Sequence, residues 1–222
     1  LPFFLSPSPT TMITGRVALL AMDHIGWRSL CHLSSRLLTL NKTQCSLEDL
    51  DQDCAGRICV TGGKTGAVEH LLNQPQGEEE ARSLLTRMAK IYPGRLYVEL
   101  NNQGTDAANH DLRLARLASE LRLPLLAAHS IYYLDKEPAA LQRTVTPIRN
   151  ICSLNHLPDD AVAPPNSWFV HPEVMAREFS DFPQALENSL EIADRCNLYL
   201  ALGQPHYPDI PLPHGFSATD LL

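Results

Sequence analysis

Long hydrophobic runs are missing from this chain. No apolar stretch approaches the roughly 20 residues a membrane helix needs, and the opening LPFFLSPSPTTMI lacks the charged start and extended apolar core of a secretory signal. Membrane contact is not expected. Basic charge is also scarce: 18 Lys and Arg stand against 25 Asp and Glu, a formal net charge of −7. The chain as a whole therefore has no electrostatic reason to coat nucleic acid or anionic lipid. Its six cysteines are spread over 222 residues without a single C-x-x-C pair, which argues against a secreted disulfide framework and against a zinc or dithiol motif. A reduced, cytoplasmic protein is expected. H-x-H, H-E-x-x-H and G-x-S-x-G are all absent, so zinc-hydrolase and acyl-transfer chemistry have no local anchor. Position 1 is leucine rather than methionine, and a trimmed or partial chain is the expectation.

What is present is an apolar content of 44%, enough for one sizeable core, arranged as alternating short apolar runs and helical periodicities. VALLAM (17–22) reads as a strand, and Trp27, Leu30, Cys31, Ser34, Leu37 and Leu38 recur at helical spacing after it. A second strand, 58–61, leads into a short helix at 66–72. Ala81, Leu84, Leu85, Met88 and Ile91 then share a longer helix that Pro93-Gly94 stops. LYVEL (96–100) is the third strand, with Leu114, Leu117, Ala118 and Leu121 marking its helix, and LLAA (125–128) is the fourth, with a helix expected from near Pro138 toward Ile148. Short apolar strands separated by helical crossovers predict parallel pairing. Two helices with proline in the first turn follow, at Pro172 and Pro183, before a proline-rich tail.

VTGGKTG invites a phosphate-cradle reading, but that motif needs Gly, four residues, then Gly-Lys-Ser/Thr. Five residues before Gly63 stands Ile58, inside a strand. A glycine turn entering a helix is the reading the spacing supports. Nine histidines (24, 32, 70, 110, 129, 156, 171, 206 and 214) are scattered; His32, His70 and His110 fall on helices and are expected to be solvated or partly packed. His129 differs, because it follows a strand's C-terminal end, where α/β proteins place their chemistry. Glu99, near a strand end, reads equally as a base and as a buried, paired carboxylate. The acidic run at 78–80 opens a helix, where the dipole favours negative charge, and is assigned no chemistry.

In order, VALLAMDHIGWRSLCHLSSRL, ICVTGGKTGAVEHLL, LYVELNNQG, LPLLAAHSIYYL and EVMAREFSDFPQALENSLEIADRCNLYLALG, followed by YPDIPLPHG, resemble the polymerase and histidinol phosphatase (PHP) domain of bacterial family C DNA polymerases. The resemblance implies an α/β fold: a partial, distorted β/α barrel of about four parallel βα units with C-terminal helices. It implies a leader or truncated start at 1–16, a PHP-like domain at 17–202 and a proline-rich connector at 203–222 toward a polymerase region. Active members resemble metal-dependent phosphoesterases with histidines and carboxylates at the strand ends. Here Gln103 stands where the family has histidine, Ser130 where it has aspartate, Tyr132 where it has histidine, and Gln142 near a later family histidine. Hydroxyls and amides are neutral at pH 7 and do not offset a divalent cation cluster. The implied pocket (Glu99, Gln103, His129, Ser130, Tyr132 and Gln142) is vestigial, with no catalytic residue, metal or cofactor. The expected role is structural support of DNA synthesis by a larger polymerase, replicative or error-prone. Its expected partners are the remainder of the alpha subunit and a proofreading exonuclease subunit, with DNA reached only through the full polymerase. The alternatives are a metal-dependent PHP phosphoesterase or 3′–5′ exonuclease, and a stand-alone fragment with another binding role.

Overall fold

The computed structural model describes residues 2–5, 15–101, 107–135, 139–157, 161–163 and 166–204, with isolated positions beyond. Among the described residues five strands form one sheet in chain order: β1 (Pro2–Leu5), β2 (Gly15–Ala21), β3 (Arg57–Val60), β4 (Leu96–Leu100) and β5 (Leu125–Ala127). The helices are α1 (His24–Thr39), α2 (Leu47–Asp51), α3 (Ala67–Leu72), α4 (Glu78–Ile91), α5 (Ala107–Glu120), α6 (Ala139–Asn150), α7 (Pro172–Glu178) and α8 (Pro183–Arg195). This mixed α/β sheet with C-terminal helices has the organisation of a partial PHP-like fold.

The pairing corrects one expectation. β3, β4 and β5 are parallel, but β2 pairs with β3 antiparallel, Ala18 opposite Val60 and Ala21 opposite Arg57. The cause is the segment after α1, which runs back along that helix instead of entering the sheet directly. Arg36 binds the Asp49 carbonyl at 2.6 Å, His32 meets Asp53 at 3.0 Å, and Ser29 donates to the Asp53 carbonyl. The Met22 amide then donates to the Gly56 carbonyl at 2.9 Å. The helix carries the chain one way and residues 40–56 carry it back, so β3 starts beside the end of β2. Within the stretch expected as a leader, Pro2–Leu5 pairs antiparallel with β2 and forms the sheet edge.

Strand alternation sorts the core into two faces. Val17, Leu19, Cys59, Val98 and Leu100 meet apolar residues of α1, α3, α4 and α5 in the main cluster, while Ile58, Val60 and Tyr97 meet Ile192 of α8. α8 is also tied to the far side of the sheet by polar contacts. Asn188 Nδ2 donates to the Leu125 carbonyl at 2.7 Å, Arg195 Nη1 donates to the Tyr97 hydroxyl at 2.6 Å, and that hydroxyl donates to Glu191 at 3.0 Å. An exposed strand edge normally needs covering, and here the chain's own helix gives β5 part of that cover.

Local signals start these helices, and of them only the prolines of α7 and α8 were read from the sequence. Asp23 caps α1 by accepting the Gly26 amide at 2.9 Å, Ser46 and Asp49 form a reciprocal capping box on α2, and prolines open α7 and α8. α6 begins at Ala139 and runs two residues past Ile148, with Pro147 inside it.

Candidate functional site

The parallel strands β3, β4 and β5 end on one side of the sheet, and the antiparallel β2 brings its first residues to the same rim. The turn after β3 is made by Gly62 and Gly63, both in the left-handed region at φ 89° and 52°. A Cβ at Gly62 would strike the Arg16 carbonyl, and one at Gly63 would sit 2.6 Å from Glu99 Oε1. Close backbone approach to β2 and to a carboxylate explains the glycines of VTGGKTG without a phosphate.

Glu99 projects to the α8 side of the sheet, as Tyr97 does. Its amide donates to Thr61 Oγ1 at 3.0 Å. Burial pushes its carboxyl up to about 7, against a Gly62 backbone hydrogen bond that favours the charged form. Asn101 follows β4, 5% exposed; its Nδ2 donates to Ser130 Oγ at 3.1 Å, and its Oδ1 is buried with no partner. Asn101 thus brings Ser130 to this rim, and both Asn101 and Glu99 lie near Gly63. Of the other pocket residues expected from the sequence, His129, Tyr132 and Gln142 make other contacts. His129 Nε2 lies 3.1 Å from the Trp168 carbonyl, which fixes that nitrogen as a donor, and the ring lines a cavity of about 510 Å3 walled by Ile131, Phe169, Met175 and Leu190. Tyr132 is exposed, with its backbone amide bound to the Ser167 carbonyl at 2.9 Å. Gln142 sits on α6, where its carbonyl accepts the Thr146 hydroxyl at 2.7 Å. Gln103 lies outside the described residues.

A second polar cluster lies at the rim, built from residues that carry no motif. Glu69 of α3 is 3% exposed and lies 2.7 Å from His110 Nε2 of α5, which is also 3.1 Å from Asn73 Oδ1. His110, expected to be solvated or partly packed, is partly packed, and its partner is a buried carboxylate because α5 lies over α3. Burial, then the charge of Asp111, pushes Glu69 up to about 8. Asp111 is raised and Lys64 lowered, each chiefly by burial, and Asp111 accepts the Asn101 amide at 3.4 Å. The sequence carried a signal for both acids. Glu69 sits within AVEHLL, whose Ala67, Val68, Leu71 and Leu72 are all buried, and Asp111 falls on the stripe of Leu114 and Ala118.

The metal cluster that the PHP resemblance implies does not fit these donors. At the Glu99 rim the neighbours are an amide and a hydroxyl hydrogen-bonded to each other, and the histidine is turned to a carbonyl. Among the described residues no three or more His, Cys, Asp or Glu side chains are grouped to hold a metal ion. No helix among them is long and apolar enough to cross a membrane.

Residues 9–103 match the PHP domain family. The DNA polymerase III subunit alpha of Pseudomonas aeruginosa is 32% identical over 93% of the chain, and that of Neisseria meningitidis serogroup A is 34% identical over 77%. The error-prone DNA polymerase of Symbiobacterium thermophilum is 29% identical over 77%. The chain spans only 18%, 15% and 16% of these three relatives.

Proposed function

Since this chain carries a PHP domain and is homologous over most of its length to a segment of bacterial DNA polymerase III alpha subunits, we propose that it is a metal-free PHP-like module. In this reading it braces a family C polymerase and supports its DNA synthesis without chemistry of its own. The carrying observation is the Asn101–Ser130 hydrogen bond beside the partly buried Glu99. A rim built for divalent cations presents ionised carboxylates and imidazoles toward the ions; here an amide nitrogen donates to a hydroxyl, and burial favours the neutral form of the carboxyl. Domain limits at 17–202 with a connector at 203–222, a cytoplasmic location and a proofreading exonuclease subunit as an added partner belong to the same reading.

Metal analysis of the purified chain after exposure to zinc and manganese tests it, paired with a phosphodiester cleavage assay with and without chelator. The expected result is less than one ion per chain and no chelator-sensitive cleavage. Two or more ions per chain with cleavage that the chelator abolishes would establish the phosphoesterase or exonuclease alternative.

A further inference from the structure

β2 ends on an open edge. Among the described residues β1 lies opposite Gly15–Ala18 only, while β2 runs on to Ala21. Strand residues alternate between the two edges; the Met22 amide donates toward β3, to the Gly56 carbonyl, so the Ala21 amide faces the other way, with no described strand beside it. A slot of about 480 Å3 opens there, lined by Leu19, Leu20 and Ala21, by Trp27 of α1 and by Ile192 and Ala193 of α8. Leu19 belongs to the core face toward α1, and Leu20 packs on the α8 side. A cavity that touches both faces of a sheet lies at its edge. With α1 on one side and α8 on the other, it has the shape of a place for one more strand.

The backbone and the charges say what fills it. An apolar body that covered the slot would bury the Ala21 amide, so it must also offer that amide an acceptor. A helix has its carbonyls committed internally, and a hydrocarbon ligand has none. An extended chain carries free carbonyls and amides along each edge and pairs with an open strand. None of the lining residues is charged, so a charged side chain carried in would lose its water without a counter-charge. With apolar walls above and below, a strand seated here reads as a continuous apolar run and not as an alternating one. A second copy of the chain is disfavoured, because β1 to β5 are each hydrogen-bonded within their own sheet. Leu198 does not supply the strand either: it already walls the slot, next to the Asn197 amide that donates to the Met22 carbonyl at 2.9 Å.

We infer that this slot receives a neutral, apolar β-strand from a partner protein, hydrogen-bonded to the free edge of β2 at Ala21 and enclosed between α1 and α8. Ala21 stands at the opposite end of β2 from the strand-end rim, and the inference does not depend on the polymerase reading. The probe is a labelled peptide with a short valine-isoleucine core between glycine-lysine ends, titrated against the full chain by fluorescence anisotropy. One control keeps the same side chains with every core amide N-methylated, and a second is a leucine-seam helical peptide. The probe should bind roughly tenfold or more tightly than either control, about what one or two backbone hydrogen bonds provide. Ala193→Glu, at an exposed position of the wall, should weaken binding by a similar factor while circular dichroism and melting temperature stay as in the parent, separating lost docking from lost folding. In Trp168→Phe, which leaves Trp27 as the sole tryptophan, emission should shift to the blue as the probe covers the slot. Equal affinity for the methylated peptide, preference for the helical one, no binding of any, an unmoved Trp27 emission, or self-association of the chain that the probe competes away would each overturn the assignment.

Discussion

Glu69 shows how one side chain ties burial to pH. Its carboxyl is pushed up from 4.5 to about 8, so between those values the folded state binds more protons than the unfolded chain. The stability this group contributes is complete below about 4.5 and is lost as pH rises through about 8. Thermal melts from pH 5 to pH 8 should show that decline in the parent and a flatter profile in Glu69→Gln. At pH 8 the variant should gain on the order of 1–3 kcal/mol, since a tenfold change in proton affinity corresponds to about 1.4 kcal/mol. A glutamine can still accept from His110, so the comparison isolates the charge. Equal slopes in the two proteins would contradict the assignment. Glu99, raised to about 7 by burial, carries the same sign over a narrower window.

At the scale of elements, the antiparallel entry of β3 beside β2 depends on two backbones touching. A Cβ on Gly26 of α1 would strike the Gly56 carbonyl, and Gly56 itself sits at φ 68° with Asp23 Oδ1 2.7 Å from where its Cβ would be. The obstacles to Gly26→Ala are backbone atoms that no rotamer change relieves, so it should cost about 2 kcal/mol or more in a urea melt. Gly94→Ala, with φ 66° and nothing within 4 Å of its Cβ, should cost about 1 kcal/mol from backbone strain alone. A Gly26→Ala protein as stable as the parent would mean that the return path along α1 does not hold β3 in place. At the opposite edge, Asn188→Leu should cost roughly 1–3 kcal/mol by leaving the Leu125 carbonyl without its donor.

For the whole molecule, net charge decides which partners are reached directly. Non-specific DNA binding draws on counterion release by a basic surface, and a chain at −7 supplies little of it. Binding to duplex DNA in a gel-shift titration at physiological salt should therefore be weaker than about 10⁻⁴ M. Micromolar retention would mean that the module reaches DNA by itself and not through a larger polymerase.

The strands from β2 to β5 and the longer helices follow from the residues alone, whereas β1 and the short α2 do not. VALLAM, LYVEL and LLAA are strands because short apolar runs that end at turns have no other way to bury both faces, and the capping and proline signals start the helices where those residues stand. Ser130 is a neutral hydroxyl wherever it lies, so that much of its chemistry was legible without the fold. Four features needed the folded chain: β2 runs antiparallel to β3, His110 meets Glu69, His129 turns to the Trp168 carbonyl, and α1 and α8 leave a slot at the edge of β2. Each of these depends on contacts between residues far apart in the chain, as when residues 40–56 retrace α1. Local periodicity describes how a segment pairs with itself; it has no term for which neighbour it will meet.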